Sequence, residues 1–158
     1  MTRRILVAEL FLVVAAIAFL PRWEAFRLRA ETPAPQDVLE VVREFQSAGI
    51  RGDRAALTQI FDPKITHFHP GSPYRFVGRD RLIQEFEVSS RSQQDMHFEM
   101  VDPQVQMAAK DVAVVTYYIV ESWADKNGVR SSAKEKATEV YVNKDGHWTM
   151  IHGHYSTE

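Results

Sequence analysis

From Asp95 to the end of the chain the apolar residues recur at every second position. That repeat constrains the fold more than any other feature. Four segments carry it: "MHFEMVDPQVQM", "DVAVVTYYIVESWAD", "VRSSAKEKATEVYVN" and "HWTMIHGHYS". A period of two puts alternate side chains on opposite faces of a strand, so each segment is a half-buried strand. The joints Lys110-Asp111, "DKNG" (125–128) and "KDG" (144–146) are turn-like, which makes the four a meander.

The preceding stretch has a different period. In "QDVLEVVREFQSAG", Val38, Val41, Val42 and Phe45 are spaced for one helix face, and Gly49 suits the helix end. In "GDRAALTQIFDP", Asp53 is placed to cap a second helix with Ala56, Leu57, Ile60 and Phe61 as its stripe, and Pro63 ends it. "KITHFHP" reads as a short strand, "PGSP" as a turn and "YRFVG" as the returning strand. A third helix follows in "GRDRLIQEFEVSS", with Leu82, Ile83 and Phe86 on one side. Helices first and a meander after predict an α+β domain.

Composition narrows the chemistry. The 158 residues contain no cysteine, which removes disulfides, thiolate metal sites and cysteine nucleophiles. A net charge of −2 without a basic cluster argues against nucleic acid as a partner. No serine-nucleophile motif, phosphate loop or nucleotide fingerprint is present, and no cofactor is implied.

At the N-terminus, "MTRR" precedes the apolar run Ile5–Leu20, broken only by Glu9. Charge before such a run predicts a signal peptide or membrane anchor over 1–21, and hence an extracytoplasmic or membrane-anchored protein. Residues 22–35, with mixed charge and two prolines, read as a linker, and 36–158 as the folded domain.

The words "GDRAALTQIFDPKITHFHP", "FVGRDRLIQEF" and "ATEVYVNKDGHWTMIHGHYS", in that order, resemble the NTF2-like superfamily, and within it the SnoaL-like and DUF4440-type domains. The resemblance covers residues 36–156. It implies a cystatin-like cone, in which three N-terminal helices pack in a curved, mainly antiparallel sheet around a pocket. A dimer across the convex sheet face is often formed. The superfamily includes ketosteroid isomerases, dehydratases, polyketide cyclases and an association domain of a protein kinase, so the fold does not dictate the function.

Against the isomerase branch, the position of the general base falls on His69, and the two oxyanion donors fall on Phe45 and Thr138. Phe45 donates nothing and a threonine hydroxyl donates weakly, so steroid isomerase chemistry is not expected. His69 is a candidate base, and His67, two residues earlier, shares its face. The resemblance directs Thr149, Ile151, Gly153 and Tyr155 of the last strand into the pocket, together with Lys134, Lys136, Thr138, Val140 and Val142 of the strand before. It directs Trp148, Met150, His152 and His154 outward. The two His-x-His pairs then lie on opposite sides of the sheet, and no metal site is expected from them.

Candidate pocket residues are thus Phe45, His67, His69, Lys136, Thr138, Ile151 and Tyr155, and candidate interface residues are Trp148, His152 and His154. Either phase of 116–123 is compatible with the pocket, with Trp123 and Tyr118 read as wall. Two functions stay open. One is a domain binding a small, largely apolar molecule in its cone, with or without weak isomerase- or lyase-type acid–base chemistry. The other is a non-catalytic dimerisation or assembly module. An open pocket holding both early histidines favours the first; a cone plugged by Phe45, Phe61 and Phe86 favours the second.

Overall fold

Helix α1, Pro35–Arg51, begins the part of the chain that the computed structural model describes, residues 34–157. The export or anchor segment and nearly all of the linker lie outside the described residues. At the start of α1 the Asp37 carboxylate accepts the Ala34 N–H at 2.8 Å, satisfying a donor the helix itself cannot pair. The helix runs past Gly49, where the sequence suggested an end. Gly52 closes it instead, with φ of 62° and its N–H returned to the last turn. Gly49 lies inside the helix because the Phe86 ring packs 3.2 Å from where a Cβ would stand.

Helix α2, Arg54–Ile60, starts at Asp53, whose side chain accepts the Ala56 N–H at 3.1 Å. It ends three residues before Pro63, because Phe61 already belongs to β1, Phe61–Phe68. The two-residue β2, Phe76–Val77, pairs back on β1, and helix α3 spans Arg79–Ser92. The meander then follows: β3 (Gln94–Ala109), β4 (Val112–Ala124), β5 (Arg130–Lys144) and β6 (His147–Thr157).

The six strands form one sheet in the order β2-β1-β6-β5-β4-β3. β1 runs parallel to β6, and the other pairs are antiparallel. Pro103 is accommodated in β3 by an irregularity between Val101 and Gln104, where Asp102 adopts a φ of 51°.

The helices cover one face of the sheet. Val38, Val42 and Phe45 of α1, Leu57 of α2, and Leu82 and Ile83 of α3 are buried against Val115, Tyr117, Ile119 and Tyr141 of the strands. Of the two phases left open on β4, the inward one is Tyr117, Ile119, Glu121 and Trp123, whereas Tyr118 is 47% exposed on the other face.

Strand β5 corrects the sequence reading. Glu135, Ala137, Glu139 and Tyr141 are buried, and Lys136 and Thr138 are exposed. The register explains it: Ala137 faces Tyr155 and Glu139 faces Gly153, so Lys136 and Thr138 are fixed on the outer side. On β6, Val140 pairs with His152 but Tyr141 with Met150, so Ile151 is an extra residue. That bulge switches the alternation within one strand. Trp148 and Met150 are inward before it, and Gly153 and Tyr155 are inward after it. Trp148 therefore belongs to the core, at 4% exposure, and not to an outer interface.

Candidate functional site

Between α1, α3 and the inner sheet face lies a cavity of about 420 Å³, a size in the usual range for small-molecule sites. One wall is aromatic. The Phe45 ring lies 5.5 Å from those of Phe61 and Phe86, and the last two are 5.9 Å apart. This trio packs beneath the helices without closing the cavity, and Phe45 and Phe86 line it together with Phe98, Ile119 and Trp123.

Both early histidines border that space, as does Tyr155. His67 is fully buried, and neither of its ring nitrogens has a hydrogen-bond partner within the protein. Tyr155 packs perpendicular to the imidazole at 4.8 Å between centroids. Burial lowers the His67 pKa to about 3, assisted by the neighbouring His69, His152 and His154. His67 is a neutral imidazole at physiological pH and a weak base. Its position depends on Gly153, where a Cβ would stand 2.5 Å from His67 Cδ2 and 2.9 Å from Nε2. A methyl at position 153 would therefore force the imidazole out of its packed position. Gly153→Ala is expected to destabilise the fold by about 1–3 kcal/mol, the usual cost of overpacking, as read from denaturant midpoints.

His69 differs in kind. It is half-buried, and its Nδ1 accepts the Gly71 N–H at 3.0 Å. A neutral ring that accepts at Nδ1 carries its proton on Nε2, so it offers a donor. Burial also lowers its pKa, although Glu85 opposes the shift. The arrangement suits a hydrogen-bonding group better than the base that the resemblance implies.

The cavity also holds carboxylates that no motif in the sequence marks. Glu121 on β4 and Glu135 on β5 line it from adjacent strands, and Glu85 of α3 lines it as well. Burial, and then the charge of Glu135, raises Glu121 to about 7, a value suited to proton exchange near neutrality. Burial likewise pushes Glu135 up.

Beneath Tyr155 is a buried polar cluster. Glu139 Oε1 accepts hydroxyl protons from Tyr117 at 2.7 Å and from Tyr155 by a short bond, and Oε2 accepts from Tyr141 at 2.8 Å. Burial raises the Glu139 pKa while the three hydroxyls oppose the rise. All three tyrosines are held well above their ordinary pKa, chiefly by burial and then by Glu139, so they remain donors.

The remaining expected residues lie elsewhere. Lys136 and Thr138 point away from the cavity because of the β5 register, Ile151 sits at the bulge and does not line it, and Trp148 is in the core. On the outer face His152 is half-buried, with Nδ1 2.8 Å from Thr66 Oγ1, and His154 is exposed, its ring 5.3 Å from that of Phe68. Among the described residues no group of three or more ligating side chains is arranged to hold a metal ion. No helix of the described residues is long and apolar enough to cross a membrane.

Three helices against a six-stranded mixed sheet, enclosing a cavity, define an NTF2-like, cystatin-like domain. The solved structure of an NTF2-like superfamily protein from Salmonella enterica superposes with a TM-score of 0.71 at 15% identity, covering 78% of this chain and 89% of that one. Residues 34–158 match the family described as "Calcium/calmodulin dependent protein kinase II association domain", and the chain belongs to that family. The superfamily expected from the sequence words holds, and the matching family within it is the association domain rather than the SnoaL-like branch.

A curated relative, the calcium/calmodulin-dependent protein kinase type II subunit delta of Oryctolagus cuniculus, is 29% identical over 123 residues. That match spans 77% of this chain but only 23% of the relative. The solved CaMKII hub of S. rosetta is 29% identical with a TM-score of 0.67, covering 78% of this chain and 95% of that one.

Proposed function

We propose that this domain is a self-association module, whose copies pair through the outer face of the sheet. The observation that carries this reading is the match of residues 34–158 to the association-domain family, with relatives named as hubs. The outer face offers a surface for it. Cross-strand register aligns Phe68, His154, Thr138 and Thr116 in one row and Thr66, His152, Val140 and Val114 in the next. Phe68 and Tyr118 are 41% and 47% exposed there, and no described element covers them. Phe68 has neutral polar neighbours there, and Tyr118 stands beside Lys136; exposed aromatic residues are enriched at interfaces. From the apolar run Ile5–Leu20 we also propose that the domain acts outside the cytoplasm or at a membrane.

Sedimentation equilibrium of the full chain tests the assembly. A dimer or larger species is expected, and Tyr118→Glu combined with His154→Glu should shift it to monomer without loss of helix signal. A monomeric wild type at micromolar concentration would remove the proposal.

A second reading is favoured by the cavity itself. It is open while holding His67 and His69, which supports binding of a small molecule in the cone.

A further inference from the structure

We propose that the cavity selects a small organic cation, an amine carried on an aromatic or alkyl body. This inference rests on the small-molecule reading above. Charge is the first ground. The cavity is bordered by Glu85, Glu121 and Glu135, and no lysine or arginine is among the residues lining it. Glu121 pairs with Ala133 and Ile119 with Glu135 in the β4–β5 register. The two carboxylates are therefore diagonal neighbours on one face, about 7–8 Å apart at the backbone. An ammonium lying between them is within reach of both.

The second ground is independent of the acids. His67 is fully buried with both ring nitrogens unpaired, and its ring borders the cavity. Buried polar groups are nearly always partnered, and an imidazole left without a protein partner at a cavity is a group kept for a ligand. Being neutral, it can accept from an N–H without adding positive charge beside the cation. The third ground is the wall. Phe98 and Trp123 accompany the carboxylates, and aromatic faces attract organic cations.

Proton linkage supplies a signature. The titratable groups around Glu121 are Glu135 on β5, Glu85 on α3, His67 and His69 at the end of β1, and Tyr155 on β6. Near pH 7 Glu121 is partly protonated, and only its ionised form attracts the cation. Amine affinity should therefore rise with pH through neutrality.

Three matched probes test the class on the full chain by titration calorimetry and ligand-observed NMR: 2-phenylethylamine, 2-phenylethanol and 3-phenylpropionate. The amine should bind at least about tenfold more tightly than the alcohol, and the anion should not bind. Its affinity should rise by up to about tenfold from pH 6 to 8, the range over which a group titrating near 7 ionises. Glu121→Gln with Glu135→Gln should remove the amine preference and leave the alcohol unchanged; Glu121→Gln alone serves if the double variant does not fold. Equal or tighter binding of the alcohol or anion overturns the cation proposal and leaves the small-molecule reading standing. Failure of all three to bind overturns both. An amine preference that survives in the Gln variants assigns it to other groups and overturns the site.

Discussion

Glu139→Ala is expected to leave the domain largely unfolded at room temperature. The carboxylate accepts from Tyr117, Tyr141 and Tyr155, which are 3%, 0% and 8% exposed, and its loss takes the acceptor from three buried hydroxyls, of which only Tyr117 and Tyr155, 3.4 Å apart, can turn to each other. Each stranded donor costs about 1–3 kcal/mol, and the cavity left by the side chain adds to that. The sum of several kcal/mol approaches the roughly 5–15 kcal/mol by which a native domain is stable.

Glu139→Gln separates hydrogen bonding from volume. One amide oxygen at the Oε1 position can still accept from Tyr117 and Tyr155, and the amide nitrogen can donate to the Tyr141 oxygen. The Gln variant should fold, losing about 1–2 kcal/mol, the difference between charged and neutral acceptors. Urea denaturation followed by circular dichroism distinguishes the two. An alanine variant as stable as the glutamine variant would show that the tyrosines find other partners.

The same residue marks where the sequence ceases to be legible. Helices and strands could be read because their apolar periods differ, and Asp53 capped as its type predicts. Strand β5 could not be phased in this way. One face holds Lys134, Lys136 and Val140, the other Glu135, Glu139 and Tyr141, so charge and apolar residues occur on both. With no hydrophobic contrast the phase rests on the resemblance alone, and a slip of one residue inverts every side chain. The buried glutamates break the expectation that charge faces water, and only the three tyrosines at 117, 141 and 155 make Glu139 tolerable inside. The cavity acids were hidden for a related reason. Glu121 and Glu135 are separated by a whole turn in sequence and meet only through the β4–β5 register.

The bulge at Ile151 was nearly as silent. In "HWTMIHGHYS" only the adjacent apolar pair Met150-Ile151 interrupts the alternation, and there the inserted residue sends Trp148 and Tyr155 to the same side. Position 153 carries a local clue after the fact. A glycine in the middle of a strand often marks a close approach, and here the approaching group is His67.

His67 should govern the acid stability of the domain. Its folded pKa of about 3 lies far below the ordinary value for an imidazole. The unfolded chain therefore binds a proton that the native state refuses. Stability from this group is fully present above pH 6.5 and is lost as pH falls towards 3. By pH 4.5 the loss reaches about 2–3 kcal/mol, following from 1.36 kcal/mol per pKa unit. The buried glutamates act in the opposite sense. Glu121, Glu135 and Glu139 have raised folded pKa values, so their contribution is complete below the ordinary carboxylate range and is lost as pH rises through those values. Wild type alone therefore mixes two opposing slopes. The difference between wild type and His67→Gln cancels the glutamates and isolates the histidine. Measured by urea denaturation from pH 7.5 to 4.5, His67→Gln should gain on the wild type by that same margin as acid is added, with the two curves parallel above pH 7. Curves that stay parallel down to pH 4.5 would mean that the imidazole is hydrated and free to protonate, and that the cavity floor around Tyr155 opens to solvent.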